Sequence, residues 1–256
     1  MLFRSIVFYF AAYVAFLVEG VLFSPVLLLP ERYGWPIVHF WARSMLWLYR
    51  VICGIGEDVR GRENIPDGPL LVAAKHQSAW ETLRLVSLFE RPTFILKREL
   101  LWVPLFGWYL WKFGQIPVDR GKRSKALAGM TERARRAAAE GRQIIIFPEG
   151  TRRAPLAPPA YRYGVVHLYR ALQIPCLPVA LNSGLFWPRR SVAHRPGTIT
   201  LSCLPPIGPG LEPDAFATVL KERLESETDA VVREAVTRNP ALRRFAAPGE
   251  AAAGTG

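Results

Sequence analysis

The apolar run Pro69-Leu70-Leu71-Val72-Ala73-Ala74 stops abruptly at Lys75-His76-Gln77-Ser78-Ala79-Trp80-Glu81, and Thr82 to Phe89 then reads as a helix. A short, wholly apolar segment bounded by polar residues reads as a buried strand. Thr93 to Leu96 reads as a second strand after the helix, which makes a βαβ unit and commits the chain to parallel pairing. His76 then sits at the carboxyl end of a strand, with the Glu81 carboxylate in the first turn of the next helix. Open α/β sheets place their ligands and chemistry at such strand ends.

A neutral imidazole takes a proton from a hydroxyl near neutral pH when a carboxylate fixes its tautomer and stabilises the cation that forms. Ser78 has no nucleophile motif around it, so the pattern points to a base acting directly on a substrate hydroxyl. Two plainer readings fit the same residues. Ser78 and Glu81 form S-x-x-E, a helix capping box, and His76 is compatible with a buried, satisfied histidine.

Further strand ends carry charge. Gly114 to Arg120 reads as a short strand ending in Asp119-Arg120, followed by a helix from Ser124 to about Glu140 that Gly141 terminates. Gln143 to Phe147 reads as a third parallel-type strand, running into Pro148-Glu149-Gly150-Thr151-Arg152-Arg153. There Gly150 permits close backbone approach, and guanidinium forks suit a phosphate; a solvated surface turn is the plainer alternative. Tyr163 to Leu172 reads as a helix in which His167 packs. Ile174 to Leu181 reads as a strand that its two prolines assign to a sheet edge or a first position. Thr198 to Leu204 reads as another strand and Pro213 to Thr237 as a charged amphipathic helix. The expected fold is α/β: a mixed, largely parallel sheet flanked by helices, preceded by an N-terminal hydrophobic helical hairpin. We divide the chain into the hairpin (1–56), the sheet domain (57–240) and a disordered tail (241–256).

Ile6 to Val18 is apolar throughout, Glu19 interrupts it, and Val21 to Leu29 resumes. About two dozen helical residues at ~1.5 Å each approach the thickness of a bilayer core. A signal peptide begins similarly, but no small-x-small cleavage site follows. Beyond the Pro30–Pro36 turn, Ile37 to Ile52 puts His39, Arg43 and Arg50 on one face and aromatic residues elsewhere. That suits a membrane interface, or alternatively a core helix with one polar face. Lys and Arg total 33 against 21 Asp and Glu, a net charge of +12, and half the residues are hydrophobic. Such a chain attracts anionic partners, and its greasiness favours a membrane surface over nucleic acid. Cys53, Cys176 and Cys203 show no ligand or disulfide spacing, which fits a reducing compartment.

Taken together, these motifs resemble the glycerolipid acyltransferases, most closely the bacterial 1-acylglycerol-3-phosphate O-acyltransferases. The resemblance runs from about Pro69 to Asn182. It rests on His76 through Glu81, on Lys97, Pro104, Gly107 and Phe113 to Arg120, on Phe147 to Arg152, and on Ile174 to Val179; the apolar hairpin also fits. One position departs: the family's first motif ends in aspartate, and here Glu81 is one methylene longer. The resemblance implies transfer of an acyl group from a thioester, on coenzyme A or acyl carrier protein, to the free hydroxyl of lysophosphatidate, giving phosphatidate. It implies His76 as general base and Glu81 as its orienter. Lys97, Arg120 and Arg152 would hold the phosphate, with Glu149, Gly150 and Thr151 shaping its seat. No metal or bound cofactor is expected, and acyl-CoA or acyl-ACP is a co-substrate. The expected partners are lysophosphatidate, the acyl donor and membrane lipid, without nucleic acid. The expected location is the inner cell membrane, with the catalytic domain on its cytoplasmic face. Another acceptor, such as lyso-ornithine lipid or glycerol 3-phosphate, stays open within the same family. A non-catalytic binder of anionic lipid is the rival from outside it.

Overall fold

A computed structural model describes residues 1–119, 123–189 and 191–246. The chain begins with α1 (Leu2–Leu22) and, after a turn, α2 (Trp35–Cys53). It continues through β1 (Ile55–Arg60), β2 (Leu70–Ala74), α3 (Trp80–Leu88), β3 (Pro92–Lys97), α4 (Phe106–Lys112), β4 (Ile116–Val118), α5 (Arg123–Ala139) and β5 (Gln143–Ile146). It ends with α6 (Gly164–Leu172), β6 (Cys176–Leu181), β7 (Gly197–Cys203), α7 (Pro213–Arg238) and a helical turn, Arg243–Ala246.

Among the described residues seven strands form one sheet in the order β1-β7-β6-β2-β5-β3-β4. Only β6 and β7 pair antiparallel. The fold is therefore the expected mixed, largely parallel α/β sheet. β2 is central and wholly buried. Its side chains alternate with the strand period of two: Leu70, Val72 and Ala74 face the core formed with α1, α2 and α3, whereas Leu71 and Ala73 face the core under α5, α6 and α7. The carboxyl ends of β2, β3, β5 and β6 share one rim of the sheet, because these strands run parallel to one another.

Three expectations change. β6 is central, not an edge strand. Its two prolines are tolerated because Pro175 precedes the strand and Pro178 lies where no ladder bond is lost. The β6–β7 ladder begins at Val179, the Pro178 carbonyl accepts from the Leu204 N–H, and the ring nitrogen falls between that bond and the Cys176–Ile207 bridge. The first apolar stretch is also shorter than expected as a single helix. α1 ends at Leu22, and Ser24–Leu28 forms a 3-10 segment because Pro25 cannot continue the ladder. Finally, residues 241–246 are ordered, not part of a disordered tail. Leu242 and Ala246 are buried in the main core, and the Arg195 guanidinium stacks over Phe245. Residues 247–256 lie outside the described residues.

Residue 56 marks a change in composition and not a separate core. Phe8 of α1 and Leu46, Tyr49 and Cys53 of α2 pack in the same cluster as β2 and α3. α1 is 21 residues long with a mean hydropathy of 2.0, long and apolar enough to cross a bilayer. Yet Ser5, Phe8, Ala12, Phe16 and Glu19 recur at helical spacing on its inner face, and Ser5 and Phe8 are fully buried. Most of the remaining face, including Phe3, Phe10, Tyr13, Val18 and Val21, is exposed apolar surface.

Candidate active site

His76 lies two residues beyond the last residue of β2, where the strand ladder ends and the chain turns into α3. Its Nδ1–H donates to Glu81 Oε1 at 2.9 Å. That oxygen also accepts from the Gln77 and Ser78 backbone N–H groups, each at 2.7 Å. The second oxygen, Oε2, accepts from the Ser78 hydroxyl at 2.6 Å and the Ser183 hydroxyl at 2.7 Å. Glu81 is fully buried. Burial alone drives its carboxyl upward, but the His76 ring and the Ser78 donors outweigh it and leave the group below the usual carboxylate range.

The capping box is only half formed, since α3 is capped at Ala79 and the Ser78 hydroxyl takes the Trp80 N–H rather than that of Glu81. Glu81 accepts the Ser78 N–H as a capping box requires, and the Trp80 N–H is capped by the Ser78 hydroxyl at 3.0 Å. The same carboxylate orients His76. The imidazole lies flat on Phe147, with ring centroids 4.0 Å apart and planes inclined by 15°. Its side chain is 15% exposed. In the neutral ring the hydrogen given to Glu81 sits on Nδ1, which leaves the lone pair on Nε2. Among the described residues no protein group bonds to Nε2, and the ring forms part of the wall of a large chamber. His76 is therefore not a satisfied core histidine.

The chamber holds about 1040 Å³, at the upper end for ligand pockets, and is mostly apolar. α1 and α2 supply one wall through Phe16, Gly20 and Trp41, and α3, β3 and α4 supply another. Lys97, Gly150, Thr151 and Arg152 line it together with His76. Lys97 is half exposed and pairs with Glu99 at 3.2 Å. Arg120 lies outside the described residues.

Glu149 is not among the residues that line the chamber and supports its loop from beneath. It is buried beneath its loop, and its Oε1 accepts from Lys75 Nζ at 2.8 Å. Lys75 is itself buried and also donates to Glu225 of α7 at 2.9 Å; Tyr161 donates to the same Glu225 oxygen at 2.7 Å. The Arg153 N–H donates to the His76 carbonyl at 2.8 Å, so loop and histidine are tied through the backbone as well. Sequence reasoning missed Ser183, Phe147 as a stacking partner, and the Lys75–Glu225 link. The polar triplet Asn182-Ser183-Gly184 was a signal for the first, though only once β6 is known to lie beside β2. Among the described residues no three His, Cys, Asp or Glu side chains gather as metal ligands would.

A buried carboxylate thus tethers an imidazole that opens on a deep, mostly apolar chamber with Lys97 and Arg152 in its wall. Residues 57–182 match the acyltransferase family. The chain is 35% identical to the 1-acyl-sn-glycerol-3-phosphate acyltransferase of Pseudomonas aeruginosa over 96% of its length and 95% of that protein. It is 31% identical to the human 1-acyl-sn-glycerol-3-phosphate acyltransferase alpha over 76% of its length and 70% of that protein. The crystal structure of the 1-acyl-sn-glycerophosphate (LPA) acyltransferase of Thermotoga maritima shares the fold, with a TM-score of 0.72 at 21% identity over 90% of this chain and 96% of that one. The chain belongs to the 1-acyl-sn-glycerol-3-phosphate acyltransferase family.

Proposed function

We propose that this enzyme transfers a fatty acyl group from an acyl thioester to the sn-2 hydroxyl of 1-acyl-sn-glycerol 3-phosphate, forming phosphatidate for phospholipid synthesis. The observation that carries the reading is the His76 ring. Its Nδ1–H is fixed on a carboxylate that accepts five hydrogen bonds, while Nε2 is left unbonded beside an apolar chamber. Nε2 takes the proton of the acceptor hydroxyl as its oxygen attacks the thioester carbonyl carbon. Collapse of the tetrahedral intermediate breaks the C–S bond, and the leaving thiolate takes the proton from His76. Glu81 holds the tautomer throughout and stabilises the imidazolium, without itself taking the proton.

Lys97, Arg152 and the Gly150–Thr151 backbone hold the phosphate in this reading, because they line the chamber beside the base. Arg120 joins them on the strength of the family resemblance alone. The donor is acyl-CoA or acyl-ACP, which present the same thioester. The apolar outer face of α1 meets lipid while its inner face stays docked on the sheet domain, so the helix lies against one leaflet. The cytoplasmic face of the inner membrane suits three free, buried cysteines and a donor made in the cytoplasm.

Acyl transfer from acyl-CoA to lysophosphatidate by detergent-purified protein, wild type beside His76→Ala, tests this. The variant should lose at least roughly a hundredfold in kcat with its fold intact. Turnover close to wild type refutes the base. Wild-type turnover confined to another lyso-lipid keeps the chemistry and refutes the acceptor.

A further inference from the structure

The segment from Arg98 to Lys112 is two-faced. Leu100, Phe106, Tyr109 and Leu110 line the chamber. Trp102, Trp108 and Trp111 point the other way and are 75%, 60% and 77% exposed. No element of the described chain covers them. A soluble surface rarely carries three such indoles within ten residues, whereas indoles with one apolar and one polar edge settle at the headgroup boundary of a bilayer.

This face is continuous with that of α1. The Tyr109 hydroxyl donates to the Gly20 carbonyl at 2.9 Å, and Lys112 Nζ donates to the Leu29 carbonyl at 2.6 Å. The Phe16 and Phe106 rings meet edge to face at 6.2 Å. α1 and the start of α4 approach closely at Gly20, where an added Cβ would press on the Leu105 side chain and make it shift. α1 presents exposed Val14, Leu17, Val18 and Val21 beside this seam. Lys97, Arg98 and Arg136 are all more than half exposed, each paired with a surface carboxylate, Glu99, Asp119 and Glu132, that an anionic headgroup would have to displace.

We propose that Trp102, Trp108 and Trp111 form a second lipid-immersed arm beside α1, which seats the chamber wall formed by these two elements against the leaflet. Gly20 of α1 and Phe106 of α4 both line the chamber at that seam, so the same two elements separate it from lipid. The proposal rests on the reading that the outer face of α1 meets lipid.

The test compares three full-length proteins: wild type, the triple variant Trp102→Ser/Trp108→Ser/Trp111→Ser, and the α1 variant Phe10→Ser/Val21→Ser. None of the substituted side chains lines the chamber. Partition is measured on phosphatidylglycerol-containing vesicles, and turnover is measured on vesicle-borne oleoyl lysophosphatidate and on soluble hexanoyl lysophosphatidate. The triple variant should partition at least roughly tenfold more weakly, since burying even part of each indole is favourable. It should also show a matching rise in KM for the vesicle-borne acceptor and unchanged turnover of the soluble one. Acyl-chain-brominated lipid should quench wild-type emission, and much of that quenching should vanish in the triple variant. Partition lost in the α1 variant but kept in the triple variant overturns the second arm and leaves the membrane reading standing. Partition unchanged in both overturns the membrane reading and the arm with it. Loss of soluble-acceptor turnover in the triple variant means that the indoles serve the fold, and also overturns the proposal.

Discussion

Lys75→Met removes the one cation shared by two carboxylates beneath the Pro148–Arg152 loop. Lys75 is 5% exposed and Glu149 1%, with 2.8 Å between them, while Glu225 is 22% exposed at 2.9 Å. Methionine roughly matches the length of the stem, so little volume is lost. What remains is a buried Glu149 carboxylate whose Oε2 already has no hydrogen-bond partner. Breaking a buried pair in this way costs about 3–5 kcal/mol, most of it the stranded charge. Adding Glu149→Gln removes that charge and leaves a buried amide lacking partners, at about 1–3 kcal/mol. The double variant should therefore recover about 2 kcal/mol relative to Lys75→Met. Urea unfolding in detergent, followed by tryptophan fluorescence, reads both differences. In the kinetics of acyl transfer, the loosened loop should raise KM for lysophosphatidate more than it lowers kcat. A Lys75→Met protein within about 1 kcal/mol of wild type, or a double variant no more stable than the single one, refutes the argument that a buried charge is what Lys75 compensates.

Two more predictions concern the carboxylate and the α1 anchor. Glu81→Asp, or Ser183→Ala, should lower kcat by about tenfold with little change in KM in steady-state acyl transfer. Each removes at least one hydrogen bond to a buried charge worth about 1.5–3 kcal/mol, and wild-type kcat in both variants excludes the five-donor seat as a determinant. Burial pushes the His194 imidazole down from 6.5 to about 4, with the Arg195 charge adding to it. Its Nε2 meets the Tyr9 hydroxyl at 2.9 Å and its backbone N–H donates to Ser5, so it fastens α1. The unfolded chain takes up this proton first as pH falls, so the stabilisation is complete above about 6.5 and is lost between there and about 4, some 2 kcal/mol of it by pH 5. Unfolding free energies at pH 7 and 5 should show this slope, and His194→Phe should flatten it.

What was legible in the sequence is what is local in the chain. β2, α3, β3 and β5 each announce themselves through a period of hydrophobicity, and His76 and Glu81 are five residues apart across one strand-to-helix turn. β1 is not legible because Ile-Gly-Glu-Asp-Val-Arg has no apolar alternation, its pairing with β7 being supplied by the sheet. Nor is α4: Phe-Gly-Trp-Tyr-Leu-Trp-Lys is apolar all round, because one face meets the chamber and the other is bare. The supports of the site were out of reach for a different reason. Ser183 is 102 residues from Glu81, and Glu225 is 150 from Lys75. Tertiary packing alone brings them together, and the prolines of β6 suggest an edge or a first position rather than a place beside β2.

The strand order also accounts for the one residue that departs from the family pattern. With β6 beside β2, Ser183 stands at the neighbouring strand end, opposite the turn that carries His76. A carboxylate in the first turn of α3 must then reach His76 and two backbone N–H groups with one oxygen, and two hydroxyls with the other. The added methylene of glutamate spans this seat. An aspartate at position 81 starts one bond further back and cannot keep both sets of donors without moving α3, whose Trp80 and Leu85 are locked in the core. Glu81 and Ser183 are therefore best understood as one unit, with the length of the acid matched to a hydroxyl that the adjacent strand supplies.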